Sequence, residues 1–251
     1  MTAPSALQLY TVREALNKDY LGTLRRVAEM GYIGIETTQI LGTPAEVAAS
    51  QARELGLEIC SAHVPLPIGN QKNEALDEVA AWGCDTLISG APKDLFSSLD
   101  GLHRLADMLN EAEETCQAHG LRYGYHNHYW EFQALGEQRA FEILFELVSP
   151  GVFFQIDTYW AQVAGVDVPK LLSELGKRAP LLHIKDGPGL IGQPMVAVGQ
   201  GAMDFPAIIS ASQENVEWLI VELDNCATDI VKAAADSYQY LVDYGLARGR
   251  K

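Results

Sequence analysis

The segment Glu29-Met-Gly31-Tyr-Ile-Gly-Ile35 passes from a charged, amphipathic stretch through a glycine into a short apolar run. This order is typical of a helix that ends at a glycine and is followed by a β-strand. The same order recurs in Glu54-Leu-Gly56-Leu-Glu-Ile59, Ala81-Trp-Gly83-Cys-Asp-Thr-Leu87 and Ala118-His-Gly120-Leu-Arg-Tyr123. The glycines at positions 31, 56, 83 and 120 are 25, 27 and 37 residues apart, about one strand-helix unit each. The chain is therefore predicted to alternate strands and helices.

The same rule, applied to the whole chain, predicts eight strands. They are residues 6–10, 32–37, 57–63, 84–89, 121–126, 152–157, 181–185 and 218–223. Apolar stripes at helical spacing lie between them, most clearly from Leu99 to Cys116 and from Ile230 to Leu241. Eight such units in 251 residues predict an α/β fold, a (β/α)8 TIM barrel with residues 1–251 as a single domain. An open doubly wound sheet is the alternative, but no GxGxxG turn follows the first strand.

The charge balance and the hydropathy pattern exclude several partners. The chain has 33 Asp and Glu against 18 Lys and Arg, a formal charge of −15, which repels a nucleic acid backbone. No run of eighteen apolar residues and no signal peptide is visible, so we expect a cytoplasmic protein without a membrane partner. The four cysteines form no CxxC pair and are expected to be free thiols. The sequence leaves a homo-oligomer open.

Acidic residues and histidines close most of the predicted strands. A TIM barrel carries its active site at the C-terminal ends of the strands, where all these side chains would meet. Asp, Glu and His without cysteine form an oxygen and nitrogen ligand set, which suits Mn²⁺, Mg²⁺, Co²⁺ or Zn²⁺. The alternative is that each is only a hydrogen-bonded residue of the barrel rim. The six strand-end residues are Glu36, His63, His126, Asp157, His183 and Glu222, with His128 just beyond the fifth strand.

The segments that carry these residues resemble the xylose isomerase-like TIM-barrel superfamily, in the branch called sugar phosphate isomerase/epimerase. The resemblance covers essentially the whole chain and depends on the ordered series, since no single motif is diagnostic. The matching segments are Gln8-Leu-Tyr10-Thr-Val-Arg13, Gly34-Ile-Glu36, Ala62-His63-Val-Pro-Leu66, His126-Asn-His128-Tyr-Trp-Glu131-Phe132, Gln155-Ile-Asp157-Thr-Tyr-Trp160, Leu182-His183-Ile-Lys185-Asp186-Gly187 and Ile220-Val-Glu222-Leu-Asp224.

The resemblance implies a divalent-metal-dependent isomerase or epimerase that removes a proton α to the carbonyl of a monosaccharide or keto-sugar derivative. It implies that His126, Asp157, His183 and Glu222 hold the metal. Sugar epimerases of the family usually carry Glu where this chain has His126, so the symmetrical two-glutamate mechanism is not expected, and one-base isomerisation or elimination takes its place. A metal-dependent sugar lyase or dehydratase of the same fold and a non-catalytic sugar-binding barrel are the alternatives.

Roles for single residues follow from the same resemblance and from their positions. Glu222 is predicted to be both ligand and general base, and His63 is predicted to return the proton or protonate a leaving oxygen. Lys185 is expected to stabilise an enediolate, or else to be a surface lysine paired with Asp186. Glu131 is expected to orient an imidazole or act as a second base. The predicted substrate contacts are Tyr10, Glu36, His128 and Trp160, with Trp130 and Tyr159 as further aromatic candidates.

The loop over residues 187–201 is rich in Gly and Pro and is predicted to be a lid. The superfamily also includes an apurinic-site endonuclease type, which needs an Asp-x-His pair in the loop after the seventh strand. That pair is missing here, and with the acidic charge this argues against a nuclease. No basic cluster accompanies the glycines of the loop, so the sequence does not predict a phosphate site.

Overall fold

The computed structural model describes residues 2–38, 43–212 and 214–250. Eight parallel strands form a closed barrel in the order β1-β10-β9-β8-β5-β4-β3-β2, and a short antiparallel hairpin, β6-β7, lies outside it. The predicted single (β/α)8 barrel is confirmed, and the open sheet is wrong. The strands are β1 Ser5–Gln8, β2 Gly34–Thr37, β3 Glu58–His63, β4 Thr86–Ser89, β5 Arg122–His126, β6 Ala134–Leu135, β7 Gln138–Arg139, β8 Phe153–Asp157, β9 Leu181–Ile184 and β10 Trp218–Val221.

The helices pack around this barrel. The C-terminal glycines predicted for two of them are confirmed, because Gly31 and Gly83 cap α2 and α4 with φ of 112° and 63°. Only a glycine adopts this backbone without strain. The helices are α1 Arg13–Lys18, α2 Tyr20–Met30, α3 Ala45–Glu54, α4 Lys72–Trp82, α5 Leu99–Ala118, α6 Ala140–Leu147, α7 Thr158–Val163, α8 Val168–Leu175, α9 Phe205–Ser212 and α10 Ile230–Asp243.

Three strands end before the predicted residue. β1 stops at Gln8 because Leu9–Val12 turns into a 3-10 helix that Gln8 caps with its side chain. β9 and β10 stop at Ile184 and Val221, so Lys185 and Glu222 belong to the loops at the mouth of the barrel. Glu222 nevertheless faces inward two residues after Ile220, as the alternation along β10 predicts.

Alternation along the strands separates an apolar half of the barrel interior from a polar half. One buried cluster inside the barrel contains Ala6, Ile88, Phe153, Leu181 and Ile220. Two residues further along four of these strands, the same inward-facing row is polar. Fully burying one such Ile, Leu or Phe side chain contributes roughly 1.5–3 kcal/mol. The apolar layer thus closes the N-terminal side of the barrel beneath the polar one, whose members on these strands are Gln8, Gln155, His183 and Glu222.

The loop after β9, predicted to be a lid, is anchored at its base. Asp186 is fully buried, and its carboxylate accepts hydrogen bonds from the backbone N–H groups of Gly187, Gly199, Gly201 and Met203 at 2.8–3.2 Å. Asp186 is therefore occupied by the loop, and the alternative in which it pairs with a surface Lys185 is wrong. Only the tip, at Leu190 and Ile191, exposes large apolar side chains, with 59% and 57% of their surface accessible.

All four cysteines are free, as expected, with Cys60 and Cys116 buried. Among the helices of the described ranges, none has the length and apolar character needed to cross a membrane.

Gly124 in β5 has no side chain and so leaves room for the Phe153 ring in the apolar layer. We predict that Gly124→Ala destabilises the fold. A Cβ atom at position 124 would lie 2.3 Å from Phe153 and 2.8 Å from the Ile88 side chain. Overpacking of this kind lowers the free energy of unfolding by about 1–3 kcal/mol. Gly90→Ala is the control, because its Cβ would meet its nearest neighbour at 3.7 Å. Urea unfolding checks both, and equal stability of the two variants would contradict the predicted packing.

Candidate active site

A pocket of about 350 Å³ opens at the C-terminal mouth of the barrel. Its volume lies within the usual range for small-molecule sites. Acidic, imidazole and aromatic side chains share its wall, which brings together residues at or after the ends of all eight barrel strands. The lining includes Gln8, Tyr10, His63, His126, His128, Tyr129, Trp130, Trp160, Lys185, Glu222 and Asp224.

The four residues predicted to hold a metal form one cluster. Ligand atoms of His126, Asp157, His183 and Glu222 all lie within 4.8 Å of one another, and all four side chains are buried. They come from β5, β8, β9 and the end of β10, so barrel closure alone brings them together. Asp157 and His183 are therefore close enough to share a metal, as the sequence predicted.

Glu36 lies beneath this cluster. It has no exposed surface, and its carboxylate accepts hydrogen bonds from Gln8 Nε2 at 2.6 Å, from the Ser61 hydroxyl and from Gln155 Nε2. Burial raises its pKa, but the positive charge of His183 and the proximity of His63 outweigh burial and lower the pKa to about 2. Glu36 is therefore an ionised structural group, and the direct substrate contact predicted for it does not fit a side chain with no exposed surface.

The imidazole of His183 lies between two carboxylates. Its Nε2 is 2.6 Å from Glu36 Oε1, and its Nδ1 is 2.7 Å from Glu222 Oε2. Burial opposes the charged form, yet the two glutamates raise the pKa of His183 to about 10. A ring held this way keeps Nε2 directed at Glu36, which orients Nδ1 towards Glu222 and the centre of the cluster.

Gln155 fixes two further imidazoles and was missed by the sequence analysis. Its Oε1 lies 2.8 Å from His63 Nε2 and 3.0 Å from His126 Nδ1, while its Nε2 donates to Glu36. The amide oxygen can only accept, so Nδ1 of His126 carries the proton and its Nε2 keeps a lone pair. Burial and the neighbouring His183 and His63 lower the pKa of His126 well below its usual value, which keeps the ring neutral. The inward position of Gln155, two residues before Asp157, was the available signal.

Asp157 has one oxygen that accepts a hydrogen bond and one that only forms an ion pair. Its Oδ1 caps α7 by accepting the Trp160 N–H at 2.8 Å. Its Oδ2 is buried and accepts no hydrogen bond, although Lys185 Nζ lies 3.0 Å away. Burial, only partly offset by Lys185, raises the pKa of Asp157. A buried carboxylate oxygen without a hydrogen bond is costly unless a cation contacts it.

This donor set fits a divalent cation. It supplies a carboxylate oxygen without a hydrogen bond from Asp157, a neutral imidazole from His126 and a carboxylate from Glu222, and Nδ1 of His183 would join them once the incoming metal displaces its proton. Oxygen and nitrogen donors of this kind suit Mn²⁺, Mg²⁺, Co²⁺ or Zn²⁺.

Lys185 is the cation that the chain itself places at this site. Only 2% of its side chain is exposed, and Nζ lies 3.0 Å from Asp157 Oδ2, 2.7 Å from Glu222 Oε2 and 2.9 Å from Asp224 Oδ1. Burial lowers its pKa, but the three carboxylates outweigh burial and raise it well above the usual value. Lys185 is thus a buried ammonium of the site and not a surface lysine, and its role towards an enediolate stays a prediction. Asp224 was missed, because nothing in the sequence places it opposite Lys185.

Glu131 supports His128 from below and does not line the pocket. It is fully buried and accepts hydrogen bonds from the Tyr125 hydroxyl at 2.8 Å and from the His128 N–H at 2.9 Å. Its Oε1 lies 3.6 Å from His128 Nδ1, while the His128 ring stacks on Trp130. This arrangement favours the orienting role predicted for Glu131 over the role of a second base. His128 itself lines the pocket.

Aromatic side chains surround the opening. Tyr10 exposes 42% of its surface at the rim, with the Arg13 guanidinium 3.9 Å from its ring centroid. Trp130 and Trp160 line the pocket as expected. Tyr159 is only 1% exposed and packs in the core, so its predicted place as a stacking residue is wrong.

A second cavity, of about 380 Å³, lies on the outer face between α6 and α8. Its walls are Phe141, Phe145 and Leu171 with acidic residues at the edge. None of the clustered ligand groups found in the described residues lies there. The pocket at the barrel mouth is therefore the candidate active site.

Comparison with known proteins agrees with this geometry. A family model described as xylose isomerase-like TIM barrel matches residues 24–244. A search of the curated proteins finds no match to this chain. Among solved structures, a sugar phosphate isomerase/epimerase from Parabacteroides distasonis is 22% identical over 99% of this chain and 96% of that chain, with a TM-score of 0.85.

Two other solved structures share the fold at lower identity. A structure of L-ribulose 3-epimerase is 16% identical over 97% of this chain and 94% of that chain, with a TM-score of 0.72. A probable 3-DHS dehydratase from Bacillus anthracis is 15% identical over 96% and 99%, with a TM-score of 0.75.

We predict that His183→Ala abolishes stoichiometric divalent metal, because the variant loses one of four clustered donors. Purification without chelator followed by metal analysis measures the metal content. His103→Ala is the matched control, since His103 is an exposed residue of α5. His126→Ala is expected to lose metal too. Equal metal in wild type and His183→Ala would contradict the ligand assignment, and full metal in His126→Ala alone would make His126 a candidate base.

Proposed function

The chain belongs to the xylose isomerase-like TIM-barrel family, and we propose that it is a divalent-metal-dependent isomerase or epimerase. The proposed substrate is a monosaccharide or keto-sugar derivative that loses the proton α to its carbonyl. The observation that carries the proposal is the cluster of His126, Asp157, His183 and Glu222 at the floor of the mouth pocket. The similarity in fold to epimerases supports the proposal, but function is argued from the site and not from the fold.

The same four residues would hold the metal. A bound divalent ion supplies Lewis-acid polarisation of a substrate carbonyl and its neighbouring hydroxyl. The chain contributes the orientation of these ligands, because Glu36 holds His183 and Gln155 holds His126. Such supporting contacts commonly change metal affinity or activity by about 10–100-fold when they are removed.

Glu222 is the proposed general base. It is the carboxylate of the cluster that also lines the pocket, and 7% of its surface is exposed. Burial raises its pKa, but Lys185 and His183 outweigh burial and hold the pKa well below the usual range. The carboxylate is therefore ionised at neutral pH, which is the form a general base needs, and the same two cations weaken it as a base. Lys185, which also lines the pocket, is placed to stabilise the oxyanion that forms when Glu222 takes the proton.

Imidazoles surround the rest of the pocket, where a family epimerase usually carries a second glutamate. His63, half-buried and held by Gln155, and His128, stacked on Trp130, both line it. Imidazole is the side chain best suited to exchanging protons near neutral pH. His63 is the proposed donor that returns the proton to substrate.

A metal-dependent sugar lyase or dehydratase is the second candidate. The observation that favours it is that position 126 carries no second carboxylate, so His63, which lines the same pocket, would protonate a leaving oxygen. A non-catalytic sugar-binding barrel is the third reading. It is distinguished by saturable binding of sugars without proton exchange.

We predict that Glu222→Gln loses exchange of the substrate α-proton with solvent almost completely, because the amide keeps the size of the side chain but cannot accept the proton. NMR of ketoses and keto-sugars in D₂O measures this exchange, with metal content determined in parallel. Glu217→Gln is the control, since Glu217 lies on the surface paired with Arg122. Exchange at the wild-type rate with metal bound would reduce Glu222 to a ligand and make His128 the base to test.

We predict that His63→Asn still exchanges the α-proton but forms product more slowly, since proton removal by Glu222 does not involve His63. The ratio of exchange to product formation measures the effect, with His119→Asn on the exposed end of α5 as control. An equal loss of exchange and product formation would contradict the separate role of His63. If wild-type protein binds sugars but exchanges no α-proton, the non-catalytic sugar-binding barrel becomes the better hypothesis.

A further inference from the structure

The ammonium of Lys185 contacts carboxylate oxygens of two residues in the ligand cluster. Its Nζ lies 3.0 Å from Asp157 Oδ2 and 2.7 Å from Glu222 Oε2, and both residues belong to the four-residue ligand cluster. The side chain is 2% exposed, so these contacts lie inside the protein. In this arrangement the chain neutralises two of its own candidate ligands.

An ammonium and a divalent ion cannot share these oxygens closely. Two positive charges a few ångströms apart repel strongly in a buried site, where water screens them little. Lys185 would have to give up Asp157 and Glu222 when a divalent ion binds. Moving the ammonium into the protein interior without a carboxylate would be costly.

Asp224 offers the ammonium a third carboxylate outside the ligand cluster. Its Oδ1 accepts a hydrogen bond from Lys185 Nζ at 2.9 Å, and its side chain is 30% exposed at the pocket wall. Asp224 lies two residues after Glu222, beyond β10, so its carboxylate is near the cluster without being one of its ligand groups. The ammonium can therefore leave two carboxylates and keep the third.

We propose that Lys185 is a built-in cation that competes with a divalent ion for Asp157 and Glu222, and that Asp224 holds its ammonium while the ion is bound. The proposal rests on the metal binding of the proposed function. Metal-free protein keeps its buried carboxylates neutralised by Lys185. Metal-loaded protein holds the ammonium on Asp224, at the pocket wall and in reach of substrate oxygens, so Asp224 is a positioning residue that acts through Lys185.

Binding of Mn²⁺ alone tests the competition, with the free ion followed by its EPR signal. Lys185→Gln removes the competing charge and is expected to bind Mn²⁺ at least tenfold more tightly than wild type. Asp224→Asn leaves the ammonium with only Asp157 and Glu222 and is expected to bind Mn²⁺ about tenfold more weakly. Lys93→Gln is the matched control, because Lys93 lies against the Tyr129 ring at the rim, and it should change the affinity by less than about twofold.

The double variant Lys185→Gln, Asp224→Asn separates positioning from a general effect of charge. When Asp224 acts through Lys185, the second substitution changes affinity by less than about twofold in the Lys185→Gln background. An equal effect of Asp224→Asn in both backgrounds would overturn the role of Asp224. Unchanged or weaker binding by Lys185→Gln would overturn the competition.

Thermal unfolding supplies a readout that does not depend on activity. Lys185→Gln is expected to lower the melting temperature of metal-free protein and to gain more from Mn²⁺ than wild type does, since tighter ligand binding stabilises more. If Lys185→Gln does not fold, Asp224→Asn still decides, because normal Mn²⁺ affinity in that variant contradicts the proposal. If wild type binds no Mn²⁺, the metal dependence of the proposed function is refuted. If wild type binds Mn²⁺ and the variants bind it equally well, only the competition by Lys185 is refuted.

Discussion

The burial of three carboxylates at one end of the barrel is the constraint on which the rest of the site depends. Glu36, Asp157 and Glu222 are 0%, 0% and 7% exposed, and unpaired charges at such depth would unfold the site or become protonated. Two buried cations compensate these charges. His183 lies between Glu36 and Glu222, and Lys185 lies between Asp157 and Glu222. These contacts link β2, β8, β9 and the end of β10 across the barrel interior. The polar layer is thus held together by opposite charges where the lower layer is held by apolar packing.

The same constraint sets the chemistry that the pocket favours. Its carboxylates exceed its cations once Asp224 is included, and Lys185, the ammonium that lines it, is already shared among three of them. Such a pocket attracts a divalent cation and has little to offer a phosphate group. Aromatic rings around the opening, including Tyr10 and Trp160, instead provide apolar faces beside the polar floor. This combination suits the polar and apolar faces of a sugar ring, the substrate class proposed above.

Two amide side chains orient the charged and imidazole groups of the site. Gln155 accepts from His63 and His126 and donates to Glu36, so one residue sets two tautomers and compensates a buried charge. Gln8 adds a second amide donor to Glu36 from the neighbouring strand β1. Neither residue stood out in the sequence, because an inward glutamine at a strand end carries no charge and matches no ligand pattern. Their importance follows from the atoms they reach across the barrel.

The sequence by itself determined the barrel and the set of polar strand ends, and the resemblance to the family added which four of them form the cluster. Repeated helix-glycine-strand junctions fix the alternation of elements, and eight parallel strands that close on themselves must bring the ends after His126, Asp157, His183 and Glu222 together. Tertiary structure alone decided the depth and pairing of each side chain. Glu36 lies below the pocket, Glu131 lies behind His128, and Tyr159 is buried. Lys185 forms ion pairs with Asp157, Glu222 and Asp224. These outcomes depend on strand stagger and on where β9 and β10 end, and they join residues tens of positions apart, which local sequence patterns do not encode.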